Sequence, residues 1–365
     1  MPRFLAALVA LKMFLFAVLV AGTASIAHAE APSTGGEDTA TETAATDACT
    51  GENLIEAIGR ENPEAMARIE REAAAIPFGE ARFWRLEKEG RPASYLYGTM
   101  HVADPRATAL DPAVADALDG ARVVALELAE TDPAAQQAAL NEHLGRLMYL
   151  DGTTLAERLP PETVTQLKAL LAERPELPWQ AMERMRPFMA MTTLMIPACE
   201  MRRMATAPVL DDMIGRRARA KGTPVIGLET VEEQLDAVFG LPEDLNLRAL
   251  QTAVAMGPVL PDLFETMVAL YERGEIGLLW ALSRDVVLLE GRTLPAGFSE
   301  EKSLEDYAVF QERVVDERNR TMLRAMRPLI DEGNAFVAVG ALHLPGKQGL
   351  VNLLAKEGWT VTPLP

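Results

Sequence analysis

The sequence predicts an α/β protein: a central mixed sheet built from two quasi-repeated β-α-β units, with a largely helical insertion between them. Three observations carry that expectation. "YLYGTMHVADP", Tyr95 to Pro105, runs an apolar and aromatic segment through Gly98 and stops on His101. "FVAVGALHLPG", Phe336 to Gly346, repeats the arrangement with Gly340 and His343. Each run ends on Gly-x-x-His and is followed by a helix signal and a second apolar strand, the order that builds parallel pairs. Between them, over about 131–204, frequent prolines break the chain into short helices.

The elements follow in order. Residues 1–29 place Arg3 and Lys12 ahead of an apolar stretch from Met13 to Gly22 and a small-residue site at Ala27-His28-Ala29. They read as a secretory signal peptide cleaved after Ala29, which predicts a periplasmic or secreted protein. A membrane anchor is the alternative, but Lys12 leaves the apolar stretch short of the roughly 20 residues a span needs. Residues 30–48 are an Ala/Thr/Glu/Gly tract with too little apolar surface to order itself, a linker to one domain over 49–365. "ENLIEAIGRENPEAMARIEREAAAI" predicts two helices parted at Asn62-Pro63. "RFWRLEKEGRPASYLYGTMH" predicts a hairpin turning at Glu89-Gly90-Arg91-Pro92. Asp111 and Pro112 open a helix as N-cap and first residue, before the strand "RVVALELAE".

The helical middle spans about 131–204. A helix through "DDMIGRRARAKG", stopped by Gly222, then returns into the apolar strand "PVIGLE". Helices from about Glu243 to Leu289 precede a long helix through "SLEDYAVFQERVVDERNRTMLRAMRPLI". The chain ends on strand "AFVAVG", helix "GLVNLLAKEG" stopped at Gly358, and strand "WTVTPL".

At 365 residues, 49% hydrophobic and 24% charged, the chain can bury one large core or two modest ones. A net charge of -18 without any basic run excludes a nucleic-acid partner. Cys49 and Cys199 are the two cysteines, and export favours a disulfide between them; no histidine pairs lie near enough in sequence for a Cys-based metal site. The run "MERMRPFMAMTTLMIPACEMRRM" reads as helix core with adaptable side chains. A thioether copper site is the alternative, which the interleaved Arg and Glu disfavour.

The chemistry starts from four histidines, His28, His101, His143 and His343. A lone strand-end histidine is usually structural, but His101 and His343 share one context. Glycine lets the backbone turn as each strand ends, and neutral imidazole is the commonest metal-ligand side chain. His143, in "LNEHLGRL", reads as a helix-surface residue. Glu127 closes "VVALE" and Glu229 closes "PVIGLE"; if buried, each needs a cation, a metal or a proton, and otherwise each reaches solvent.

On the long helix, Leu304, Ala308, Val315, Met322, Met326 and Leu329 form one apolar face. Arg318 lies within its sector and Asn319 at its edge, with Glu317 and Arg320 opposite. A buried arginine wants a carboxylate or an anionic transition state, and snorkelling is the alternative. Converging at one sheet edge, this set suits metal-assisted hydrolysis, with Arg318 stabilising an oxyanion. No HExxH, Gly-x-Ser-x-Gly, P-loop or Gly-x-Gly-x-x-Gly element points elsewhere.

Through "YLYGTMHVADPR", "VVALEL", "VLDDMIGRRARAKGTPVIGLETVEEQL", "ERNRTML" and "FVAVGALHLPGKQGLVNLLAKEGWTV", the chain resembles the TraB/GumN family, related to the Tiki metalloproteases. The resemblance covers nearly all of residues 49–364. It implies a hydrolase-like α/β fold and divalent-metal peptidase activity, with Mn, Co or Zn as the ion. Carried onto this sequence, it implies metal ligands His101, His343 and Glu127, catalytic roles for Glu127, Arg318 and Asn319, and support from Gly98, Gly340, Glu229 and Asp211. A tryptophan that often follows the Arg-Asn pair in the family is replaced here by the region of Met322 and Leu323. The expected function is an exported metal-dependent hydrolase acting on peptides or another small hydrolysable substrate. Two other readings stay open: a metal-independent hydrolase of the related erythromycin-esterase type, and a non-catalytic ligand or haem binder.

Overall fold

A computed structural model describes residues 49–129, 138, 141–285 and 300–365. The expected signal peptide at 1–29, the linker at 30–48, and the parts of the helical segments at 130–137, 139–140 and 286–299 lie outside these described residues.

Six strands make one sheet: β1 (Phe83–Glu87), β2 (Ser94–Thr99), β3 (Val123–Leu126), β4 (Val225–Gly227), β5 (Ala335–Gly340) and β6 (Thr360–Leu364). Their order is β4-β3-β5-β2-β1-β6. β4, β3, β5 and β2 run parallel, while β1 is antiparallel to both β2 and β6, so the sheet is mixed. Every residue of β3 and of β5 is buried, as strands covered on both faces must be. β4 is an edge strand, and Ile226 is 40% exposed there; the apolar run "PVIGLE" is therefore less buried than its composition predicts.

The helices used below are α1 (Leu54–Glu61), α2 (Pro63–Ala74), α3 (Pro112–Asp119), α4 (Pro187–Met195), α5 (Ala198–Met204), α6 (Leu210–Ala220), α7 (Val231–Phe239), α8 (Glu243–Ala255), α9 (Leu260–Glu272), α10 (Glu300–Phe310), α11 (Glu317–Glu332) and α12 (Leu350–Lys356). On one face of the sheet, Met322, Met326 and Ile330 of α11 and Leu350, Val351 and Leu354 of α12 pack on Val123, Ala125, Val337 and Val339. On the other, Phe83, Tyr97, Val124, Leu126, Phe336 and Ala338 join a larger core containing α4, α8 and α9. Met182, Met191 and Met195 are fully buried in that core, so the methionine-rich run fills space.

Local chemistry sets most boundaries as the sequence predicts. Asn62 accepts the Ala65 N–H at 3.0 Å and parts α1 from α2, with Pro63 as the first helical residue. Gly90, Gly222 and Gly358 all take positive φ, turning the hairpin and ending α6 and α12. Asp111 occupies the N-cap position of α3, yet its carboxylate accepts Arg82 Nη2 at 3.0 Å instead of a helix N–H.

The long helix departs from its expected phase. A π-helical segment, Gln311–Asp316, separates α10 from α11, and its wider i→i+5 winding rotates everything downstream. Upstream, Ala308 is exposed while Asp306 and Phe310 are buried, and the side chain of Leu304 lies outside the described residues. Val315 is buried within the segment; downstream, Met322 and Met326 are buried, Leu329 partly so, and Asn319 sits fully inside rather than at the edge.

Cys49 and Cys199 form a disulfide with Cα atoms 5.4 Å apart, tying the start of the described chain to α5. Among the described residues, no single helix is long and apolar enough to cross a membrane.

Gly98 lies where β2 meets the 3₁₀ turn Ala341–His343: an added Cβ would fall 2.9 Å from Ala341 Cα and 2.7 Å from Leu344 Cδ1. Backbone must move to admit it. Gly98→Ala should therefore lower stability by about 1–3 kcal/mol, read from urea unfolding midpoints against wild type.

Candidate active site

Four parallel strands bring their carboxyl ends to one edge, where open α/β sheets place their sites. Just past those ends stand His101 after β2, Glu127 after β3, Glu229 after β4, and Gly340 with His343 at the end of β5. α11 crosses the edge and adds Arg318 and Asn319.

Arg318 joins the two glutamates. Its Nη2 donates to Glu127 Oε2 at 2.7 Å and to Glu229 Oε2 at 2.6 Å, and its Nε donates to Glu229 Oε1 and Oε2 at 3.1 and 3.0 Å. All three residues are buried, so both carboxylates find a cation rather than solvent, and Arg318 does not snorkel. Burial opposes charge on the guanidinium, but the two carboxylates more than reverse this and raise its pKa. Burial would also raise Glu127, yet Arg318 and the Gly340 N–H, donating to Oε1 at 2.6 Å, help hold it down at about 2. Glu229 moves the other way, pushed up by burial against the pull of Arg318. Gln234 Nε2 completes the shell of Glu127, donating to Oε2 at 3.3 Å.

Each histidine is aimed through its Nδ1. Asn319 Nδ2 donates to the Gln348 carbonyl at 2.8 Å, which turns Oδ1 toward His343 Nδ1, 2.5 Å away. Oδ1 can only accept, so Nδ1 carries the proton and the neutral ring presents its Nε2 lone pair. Burial pushes this imidazole down to about 3, which keeps it neutral. Its Nε2 lies 3.7 Å from Glu127 Oε1. His101 Nδ1 pairs with Asp211 Oδ2 at 2.8 Å, and Thr99 Oγ1 donates to Asp211 Oδ1 at 2.9 Å. Burial alone would lower His101, but Asp211 overcomes it and the pKa rises. His101 Nε2 is buried with no hydrogen-bond partner.

These groups converge on the missing side chain of Gly340. A Cβ there would stand 3.2 Å from Glu127 Oε1, 3.6 Å from His343 Cδ2 and 3.8 Å from His101 Nε2. Two imidazoles and a carboxylate, each oriented by a second partner, match in kind the donors that hold divalent ions. Among the described residues, no three His, Cys, Asp or Glu side chains are already spaced to close around an ion.

Seven residues named from the sequence meet here: His101, Glu127, Asp211, Glu229, Arg318, Asn319 and His343. Gly340 lies among them, while Gly98 packs behind the turn that carries His343. Cys49 and Cys199 form a disulfide outside this set of contacts, and His143 sits at the start of the separate turn Leu144–Leu147. Met322 and Leu323, in place of the family tryptophan, belong to the core beneath α11. Sequence reasoning missed Thr99, Gln234, the Gly340 N–H and the Gln348 carbonyl. Gln234 had one signal, a polar residue on the inner side of a helix opened by the Thr230–Glu233 capping box. Backbone groups have none.

Residues 82–363 match the TraB/PrgY/gumN family, and the chain belongs to that family. It is similar to Metalloprotease TIKI1 of Danio rerio, 28% identical over 322 residues. That match takes in 77% of this chain and 63% of the relative, so the chain spans less than two thirds of TIKI1. No solved structure matches the chain.

Removing Arg318 would leave two carboxylates buried without their cation. Arg318→Met should cost about 3–5 kcal/mol, and adding Glu229→Gln should recover part of the loss because one stranded charge disappears. Chemical denaturation of the single and double variants measures both.

Proposed function

We propose that the protein is an exported, metal-dependent hydrolase that cleaves peptides, with its site at the Glu127–Arg318–His343–His101 cluster. The observation that carries this reading is the convergence of His101 Nε2, the His343 ring and Glu127 Oε1 on the space left by Gly340. One guanidinium faces two carboxylates here, with Glu127 held ionised and Glu229 pushed toward its neutral form by burial. A divalent ion of the Mn, Co or Zn kind, held by His101, His343 and Glu127, would supply an activated water and polarise a carbonyl. Family membership and the similarity to a metalloprotease support the same chemistry. The disulfide and the leader-like N-terminus support export.

The chain's own residues have distinct tasks. Asn319 and Asp211 fix the two imidazoles with Nε2 toward the pocket. Arg318 keeps Glu127 ionised and immobile, its Nε and Nη2 given to carboxylates as counter-charge, beside the oxyanion role expected of it from the sequence. Glu229 steadies Arg318 from the β4 side.

A second reading has its own observation: the Asp211–His101 pair with a partnerless Nε2 is arranged as a general base for water without a metal.

Purified protein should carry or respond to a divalent ion in elemental analysis and in peptide-library cleavage. His101→Ala and Glu127→Gln should each cut turnover by about 10²-fold or more. Equal cleavage by wild type and His101→Ala would overturn the site assignment. Chelation should abolish cleavage; full activity in the chelated protein would establish the metal-independent reading instead.

A further inference from the structure

Two charged residues of the methionine-rich run, Glu200 and Arg203, make contacts that core filling does not account for. Glu200 directly follows Cys199 on α5 and is completely buried. Its Oε1 accepts the Ala103 N–H at 2.5 Å, and its Oε2 accepts Arg203 Nη1 at 2.6 Å. The same Arg203 nitrogen reaches Asp104 Oδ2 at 3.2 Å and lies 3.8 Å from Cys49 Sγ. Asp104, also buried, accepts the Arg106 N–H at 3.0 Å, and the Arg106 guanidinium pairs with Glu265 of α9 at 2.7 and 2.9 Å. A continuous polar path therefore runs from the disulfide to the turn at residues 101–106.

That turn begins at His101. β2 ends at Thr99, so no strand ladder holds the chain beyond it. The Ala103 N–H, two residues past His101, is satisfied by a carboxylate from 97 positions away in sequence. The helix that supplies this carboxylate has seven residues, too few to hold its place by backbone bonds alone. Cys199 at its second position is covalently fixed to Cys49. We infer that Glu200 is a positioning residue for His101, and that the Cys49–Cys199 disulfide anchors the helix from which Glu200 acts, so that the bridge and the carboxylate work as one clamp.

The activity arm of the test rests on the hydrolase reading; the spectroscopic arm does not. Histidine-selective NMR of the exported chain follows the His101 signal, assigned with His101→Ala. Glu200→Ala and the pair Cys49→Ala with Cys199→Ala should each shift the His101 signal while leaving those of His143 and His343 in place. Combining all three substitutions should move it no further than the larger single effect, because each breaks the same clamp. Glu200→Gln keeps an acceptor for the Ala103 N–H and should hold the signal near its wild-type position. Where peptide cleavage is measurable, Glu200→Ala should lower kcat about tenfold or more with KM nearly unchanged, and Glu200→Gln should restore most of it. An unmoved His101 signal in folded Glu200→Ala protein, or additive shifts in the combined variant, would overturn the clamp. If Glu200→Ala does not fold, an unmoved signal in the disulfide-free protein overturns it alone. Wild type without peptidase activity would sink the hydrolase reading, while the histidine signals would still decide the positioning.

Discussion

The guanidinium of Arg318 lies between the carboxylates that follow β3 and β4, and it reaches them from a helix packed on one face of the sheet. Inside a protein the low dielectric makes such contacts strong and makes their loss expensive. The triad therefore fixes three elements at once: the ends of two parallel strands and the phase of α11. Glu127 can then spend its other oxygen on the Gly340 N–H, which brings in a third strand, β5. Arg318 thus stands at the node where covalently distant segments become one edge.

The neighbour of Arg318 does a second job for the same geometric reason. Successive residues on a helix point about 100° apart, so Arg318 can face the glutamates while Asn319 faces His343. The π segment immediately upstream sets the rotation at which both are buried. Asn319 transmits orientation rather than charge: the Gln348 carbonyl fixes its amide, and the amide fixes the imidazole proton on Nδ1. Asp211 performs the matching task for His101 from α6, itself steadied by Thr99 at the end of β2.

The strands and most of the residues that meet at the sheet edge are legible because their signals are local. Long apolar runs mark strands buried on both faces, and Gly-x-x-His places an imidazole one turn past a strand end. The burial of Arg318 was readable from helical periodicity downstream of Val315. That periodicity failed upstream, at Ala308, because a π turn changes the angle per residue and leaves no residue-type signature. Periodicity places Asn319 at the helix edge for the same reason. The Asp111 carboxylate looked like a helix cap, and only the fold brings Arg82 within its reach. Glu200 gives no signal of its own within the methionine-rich run, since its partner Ala103 offers a backbone N–H that no side-chain pattern reveals. Contacts made by main-chain groups across a hundred residues belong to the tertiary fold, and sequence patterns do not encode them separately.

The energetics of this edge are not explained by stability alone. Withdrawing charged side chains from water costs several kcal/mol per ion, and well-packed apolar residues of similar volume commonly do as well or better. Here three ionisable groups, two imidazoles and an amide occupy the junction of two hydrophobic cores that could have closed over it with Val, Leu and Met, the residues on either side. The fold keeps them, and spends an Asn, an Asp, a Gln and a Thr on orienting them. Around Arg318 two carboxylates face one guanidinium, and nearby His101 Nε2 is buried without a partner. An imbalance that packing alone would remove is what a site needs if it is to accept a positive charge, whether an ion or a proton in transit, from outside the chain.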